Sequence, residues 1–126
     1  MTVRAIALKW LAIHHQVDTG RIITSRLYPP NESWTGGDAW WIQIPMVALE
    51  RNEEIHLVCQ RELDGDDFHY LRVPPQFLRD HVDDFALVRD THISLFLDAG
   101  DQPFTDVRGP GRVSFAPYLI GDSPAR

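Results

Sequence analysis

Three of the four tryptophans in this 126-residue chain, Trp34, Trp40 and Trp41, fall within eight residues of one another, around the segment Thr35-Gly36-Gly37-Asp38. Tryptophan beside a glycine-rich loop suits binding, because it offers a large contact area at low entropic cost. Strand alternation places Trp40, Ile42 and Ile44 on one face and Trp41 and Gln43 on the other. Trp34 and Trp41 are therefore the candidate contact residues, with Trp40 assigned to the core. A second candidate is Arg108-Gly109-Pro110-Gly111-Arg112. Its two guanidinium groups flank a tight turn and are suited to clamping a phosphate or a carboxylate. Asp98, Asp101 and Asp106 lie close in sequence, so pairing within the chain competes with that reading.

Metal and nucleophile chemistry finds little support in the spacing. His56 and Cys59 are close in sequence, but alternation on a strand points them to opposite faces, and Cys59 reads as a small buried hydrophobe. His81 and Asp84 are one helical turn apart and within reach of each other; beside Asp80 and Asp83 they read as a solvated rim. A tetrahedral site needs three or four converging ligands, which local sequence does not supply. Asp64-Gly65-Asp66-Asp67 resembles the opening of a calcium loop but lacks the length and the closing glutamate, so it is read as a hairpin turn. His92-Ile93-Ser94 is half of a two-histidine phosphoesterase pattern, and its second half is missing. Lys9, the single lysine, has no preceding acid at the spacing of a metal-dependent nuclease. Phosphate-binding glycine loops and serine-nucleophile elbows are absent. No metal and no cofactor is expected, and a hydrolase using His69, His81 or His92 as base is the weakest of three functional readings.

The elements that would position these residues are short. Residues 2–16 place Val3, Ile6, Ala7, Trp10 and Ile13 at helical spacing, with Thr2 as N-cap; a strand competes there, but alanine content and length favour helix. Residues 21–28 read as a strand ended by Pro29-Pro30, and 29–38 as a loop. Strands are expected at 39–44, 55–60, 68–73, 92–98 and 113–119. Short helices are expected after Pro45 and from Pro74-Pro75 to about Phe85, and the strands at 55–60 and 68–73 form a hairpin. One internal similarity stands out. Trp41-Ile42-Gln43-Ile44-Pro45, followed by Leu49, parallels Tyr70-Leu71-Arg72-Val73-Pro74, followed by Leu78, and each precedes a further apolar strand. The displacement is 29 residues from Trp41 to Tyr70 and 38 from Ile55 to Ile93. Two copies of a strand–proline–helix–strand unit would produce this; so would the ordinary use of proline where a strand enters a helix. The expected fold is α+β: one mixed, mainly antiparallel sheet of about five to six strands with two to three short helices packed on it. It would form a single domain over 1–126, with a helix at 2–16, a sheet-forming region at 21–119 and a short tail at 120–126.

Composition bounds the function classes. Hydrophobic content of 44% and charged content of 24% are ordinary for a globular chain. A single cysteine makes no intramolecular disulfide. The first thirteen residues do not read as a secretory signal, and no apolar run reaches membrane-spanning length. A cytoplasmic protein without a membrane partner is expected, in which the sequon at Asn31 carries no glycan. The net charge of −6 disfavours non-specific binding to nucleic acid. Arginine nevertheless outnumbers lysine eleven to one among the twelve basic residues, and arginine is the better bidentate partner for phosphate. Two functions are carried forward. The first is a non-enzymatic binding or accessory module engaging a protein partner, a second copy included, through Trp34 and Trp41. The second is a nucleic-acid-acting component, a specificity or nuclease-associated domain, using arginine and tryptophan contacts.

Overall fold

Alternation along β3 (Ala39–Pro45) governs the architecture: Trp40, Ile42 and Ile44 point inward and are buried, while Trp41 and Gln43 point outward. The computed structural model describes residues 2–33 and 36–120. It shows the expected α+β class, with short helices and mixed strands. The strands are shared between two sheets rather than lying in one. The first sheet has three strands, β1 (Arg21–Ser25), β4 (Ile55–Gln60) and β5 (Phe68–Val73), in the order β1-β4-β5, with β1 parallel and β5 antiparallel to β4. The second has four, β2 (Leu27–Tyr28), β3, β6 (Ala86–Val88) and β7 (His92–Asp98), in the order β2-β3-β7-β6, all antiparallel.

The sheets divide at Arg26, inside the segment expected to be one strand. The Ser25 hydroxyl donates to the Arg26 carbonyl at 2.8 Å and accepts from the Trp41 amide at 3.0 Å. The side chain thus occupies a bond that a continuous strand would give to backbone, and the chain turns from one sheet into the other. Between the sheets lies the main core, with Ile42, Leu57, Leu71 and Leu95 each wholly buried. Cys59 is in this core and Val58 faces the other way, so His56 and Cys59 point apart as alternation requires. Burial pushes the Cys59 thiol pKa up.

α1 (Val3–His14) is capped by Thr2, whose hydroxyl accepts from the Ala5 amide at 3.1 Å. It lays Ala7 and Leu11 on the outer face of the first sheet, over Val58, Phe68 and Tyr70. α2 (Met46–Glu50) and α3 (Pro75–Asp80) pack against one another and bury Leu49 and Leu78. α3 stops at Asp80, short of Phe85, and a 3-10 turn over Val82–Asp84 leads into β6. Residues 113–119 form no strand: Ser114 makes one isolated bridge to Thr105, and a 3-10 turn over Ala116–Tyr118 follows.

Strand pairing follows the internal similarity. The units are β3–α2–β4 and β5–α3–β7, and each unit's first strand lies antiparallel to the other unit's second. The registers also correspond. Ile44 opposes Ile93 as Val73 opposes Ile55, and Ile42 opposes Leu95 as Leu71 opposes Leu57. Applying both sequence displacements maps one set of partners onto the other. The two units therefore exchange strands in a twofold-like arrangement, with β6 an addition that only the second unit has.

Candidate functional site

The outer face of the second sheet carries the exposed aromatic surface. Trp41 on β3 lies opposite Phe96 on β7, with ring centroids 6.3 Å apart, and meets the edge of Tyr28 at 6.4 Å. Its indole N–H points to the Ser94 hydroxyl at 3.4 Å. Trp41 keeps 42% of its surface exposed whereas Trp40 keeps 2%. Trp40 is a core pillar, stacked on Phe104 at 5.0 Å with its N–H donating to the Gln60 carbonyl at 2.7 Å. Ala39 forms the floor beneath the aromatic rings. The result is a cleft of about 250 Å³ lined mainly by Tyr28, Ala39, Trp40, Trp41, Phe96 and Arg108.

Two guanidinium groups stack on its aromatic walls. Arg26 lies 4.1 Å from the centre of the Tyr28 ring and pairs with Glu32. Arg108 lies 5.1 Å from the centre of the Phe96 ring. Such contacts place positive charge on an apolar wall without burying it fully. A second, shallower depression shares Phe96 and Arg108 with the cleft and adds Ala86, Asp98 and Arg112. Trp41, Arg108 and Arg112, which are distant in sequence, thus surround one ring, Phe96. Trp34 lies outside the described residues.

The arginine-bearing loop is held by Asp106, which is wholly buried. Its carboxylate accepts from the amides of Phe96, Arg108 and Gly109, each at 3.1 Å. Burial raises the Asp106 pKa above the ordinary carboxylate value, and the three amides oppose that shift. Pairing within the chain was expected between nearby aspartates and the two guanidinium groups; Asp106 attracts the Arg108 guanidinium and also ties down the backbone that carries it. The glycines let this loop close on the 3-10 turn Val82–Asp84. A Cβ on Gly109 would stand 2.4 Å from the Asp84 carbonyl, and one on Gly111 would stand 2.2 Å from the Asp84 Cβ.

Elsewhere the titratable groups are engaged structurally. His56 faces the Thr19 carbonyl through Nε2 at 2.8 Å, which assigns the proton to Nε2; Nδ1 then accepts from the Tyr70 hydroxyl at 2.7 Å. Arg72 donates to the same hydroxyl at 3.3 Å. His81 meets Asp84 at 3.1 Å on a half-exposed rim. His69 packs edge-on against both Trp40 and Phe104, and His92 contacts Thr91. In the Asp64–Asp67 turn, Asp67 is taken by Trp10 and Arg61. Among the described residues, no three His, Cys, Asp or Glu side chains converge as metal ligands, and no helix is long and apolar enough to cross a membrane.

Sequence reading found Trp41, Arg108 and Arg112 through local features. It missed Tyr28, Phe96, Arg26 and Asp106, which join the site only through strand pairing and loop closure. No protein-family model, curated protein or solved structure matches this chain.

Proposed function

We propose that this chain is a non-enzymatic binding module that engages a protein partner through the aromatic cleft of its second sheet. The supporting observation is the Tyr28–Trp41–Phe96 cluster on paired strands: Trp41 keeps 42% of its surface exposed, Tyr28 is partly exposed, Phe96 is buried beneath them, and the guanidinium groups of Arg26 and Arg108 flank the cluster. Rigid aromatic anchors beside arginine are the residue types that dominate binding energy at protein interfaces. The histidines make the hydrolase reading the weakest, since none described here stands beside a nucleophile in a cleft.

The nucleic-acid reading needs arginines gathered on one face. Arg26, Arg108 and Arg112 border the cleft, whereas Arg21 pairs with Glu53 at 2.9 Å, Arg61 with Asp67 at 3.0 Å and Arg72 with Glu54 at 3.6 Å, all three on the first sheet or its hairpin turn. Arg79 is taken by the Leu49 carbonyl and Asn52.

The test is quantitative affinity capture from nuclease-treated extract, with parent and Trp41→Ala compared side by side. A protein retained by the parent should fall at least about tenfold with the variant, the loss of about 1.4 kcal/mol expected for one interface anchor. Equal recovery by both proteins, or recovery by neither, overturns the reading. A salt-sensitive mobility shift of short DNA or RNA would transfer it to nucleic acid.

A further inference from the structure

The open cleft has a covered counterpart in the same molecule. Under the displacements that relate the two units, Trp41 corresponds to Tyr70, Phe96 to Val58, Ser94 to His56 and Ala39 to Phe68. Side-chain contacts follow the same correspondence: Trp41 points its N–H at Ser94 where Tyr70 meets His56. On the first sheet, Val58, Phe68 and Tyr70 lie beneath α1. On the second sheet no described helix takes the place of α1: Ala39 and Phe96 are buried beside the 29–33 segment and Arg108, while Trp41 keeps 42% of its surface exposed. The cleft opens where Ala39 replaces the bulk of Phe68, so it has room for one large apolar side chain from above.

Charge identifies the kind of helix. α1 carries Arg4 and Lys9 and no acidic residue. Beside it, Lys9, Asp66 and Asp67 line one groove, and Asp67 accepts from the Trp10 indole at 3.0 Å. The covered face thus joins a basic helix to an acidic rim. The open face has the opposite polarity, with Arg108 and Arg112 bordering Phe96. Of the acids nearby, Glu32 pairs with Arg26, Asp98 accepts the amides of Gly100 and Gln102 and keeps its charge beside the arginines, and the buried Asp106 attracts Arg108 from below. A second copy's α1 would bring basic charge to this rim and is disfavoured.

We propose that the outer face of the second sheet docks an acidic amphipathic helix from a partner protein, in the position that α1 holds on the first sheet. The helix inserts one bulky apolar side chain into the cleft above Ala39, against the Tyr28 and Trp41 rings, and turns its carboxylates toward Arg108 and Arg112. This names the partner's chemistry and rests on the binding-module reading.

The experiment is amide and indole chemical-shift mapping on the full chain with three synthetic peptides of about four helical turns. The first has leucine at helical spacing and glutamate elsewhere. The second has lysine in place of glutamate. The third is the acidic peptide with a central proline, which breaks the helix. The acidic peptide should shift the Trp41 indole and the amides of Ala39, Phe96 and Arg108, and bind at least about tenfold more tightly than the other two. Trp41→Ala should abolish its binding. Equal binding of the proline peptide at the same residues overturns helix docking but leaves the binding module standing. Equal or tighter binding of the lysine peptide overturns the acidic assignment. If no peptide perturbs these residues, the docking proposal fails, and the capture experiment judges the broader reading separately.

Discussion

Asp106→Ala should unfold the loop that brings Arg108 to the cleft and cost about a quarter of a typical domain's stability. The carboxylate accepts three amides at 3.1 Å, and two of their residues, Phe96 and Gly109, are buried. Leaving a buried donor unsatisfied costs about 1–3 kcal/mol, so these two cost about 2–6 kcal/mol; the half-buried Arg108 amide can turn to water. Removing a buried carboxylate recovers part of its desolvation cost, which brings the expected loss to about 2–4 kcal/mol, against a typical total of about 5–15 kcal/mol. With a urea m-value of about 2 kcal/mol/M, the midpoint should fall by about 1–2 M. Urea titrations followed by far-UV circular dichroism and tryptophan emission measure this. A second arm uses pH. The folded pKa of Asp106 is raised above its ordinary value of 3.8, chiefly by burial. Its contribution to stability is therefore complete below that ordinary value and lost as pH rises through the raised folded pKa. The stability gap between parent and Asp106→Ala should widen on acidification from neutrality. A loss under about 0.5 kcal/mol at neutral pH, the size of an ordinary surface substitution, would refute the anchoring argument. A gap that narrows in acid would refute the assigned direction.

Two further substitutions probe the supports around the site. Gly111→Ala places a Cβ 2.2 Å from the Asp84 Cβ; overpacking of that kind costs about 1–3 kcal/mol, and Tm should drop by more than about 3 °C. Gly100→Ala meets only the Asp98 carboxylate, at 3.3 Å, and is the benign comparison; equal Tm values for the two variants would contradict the close approach. Tyr70→Phe removes the hydroxyl joining His56 and Arg72 and should cost about 1–2 kcal/mol in denaturant unfolding. A Tyr70→Phe protein as stable as the parent would show that this hydrogen-bond chain adds nothing.

The strands were legible in the sequence where apolar runs are continuous. Ile55–Gln60, Phe68–Val73 and His92–Asp98 begin and end where the residue types change. Segment 21–28 carries the same β-forming residues throughout, and its break at Arg26 depends on a Ser25–Trp41 contact sixteen positions apart. β6 was hidden because Phe85 continues the apolar spacing of Phe77, Leu78 and Val82, while helical bonding ends where the His81 amide turns to the Leu78 carbonyl. Residues 113–119 have strand-like composition but fold around the Phe104 ring and a 3-10 turn. The site divides in the same manner. Trp41 follows from alternation and the arginines from their turn. Phe96 looks like any core aromatic until its strand is paired, and Asp106 is one of thirteen aspartates with no local pattern to mark it.

The two related units supply corresponding outer faces, and among the described residues a helix covers only that of the first sheet. Both faces begin from the same pattern of inward aliphatic and outward aromatic residues, so both need some cover from water. On the first sheet α1 provides it, burying Tyr70 to 1% exposure. On the second, partial substitutes occur: guanidinium groups over Tyr28 and Phe96, and an indole leaning on a serine. These leave Trp41 far more exposed than its counterpart. An aromatic surface left open in this way is a hazard for a free protein, since exposed apolar patches associate. Here the arginines lower that risk while keeping the rings accessible, and the chain's net charge of −6 opposes self-association. A partner helix of negative charge would meet local attraction at the rim despite the overall repulsion. Its association should therefore slow as salt rises only if the rim governs encounter, and should quicken if the net charge does.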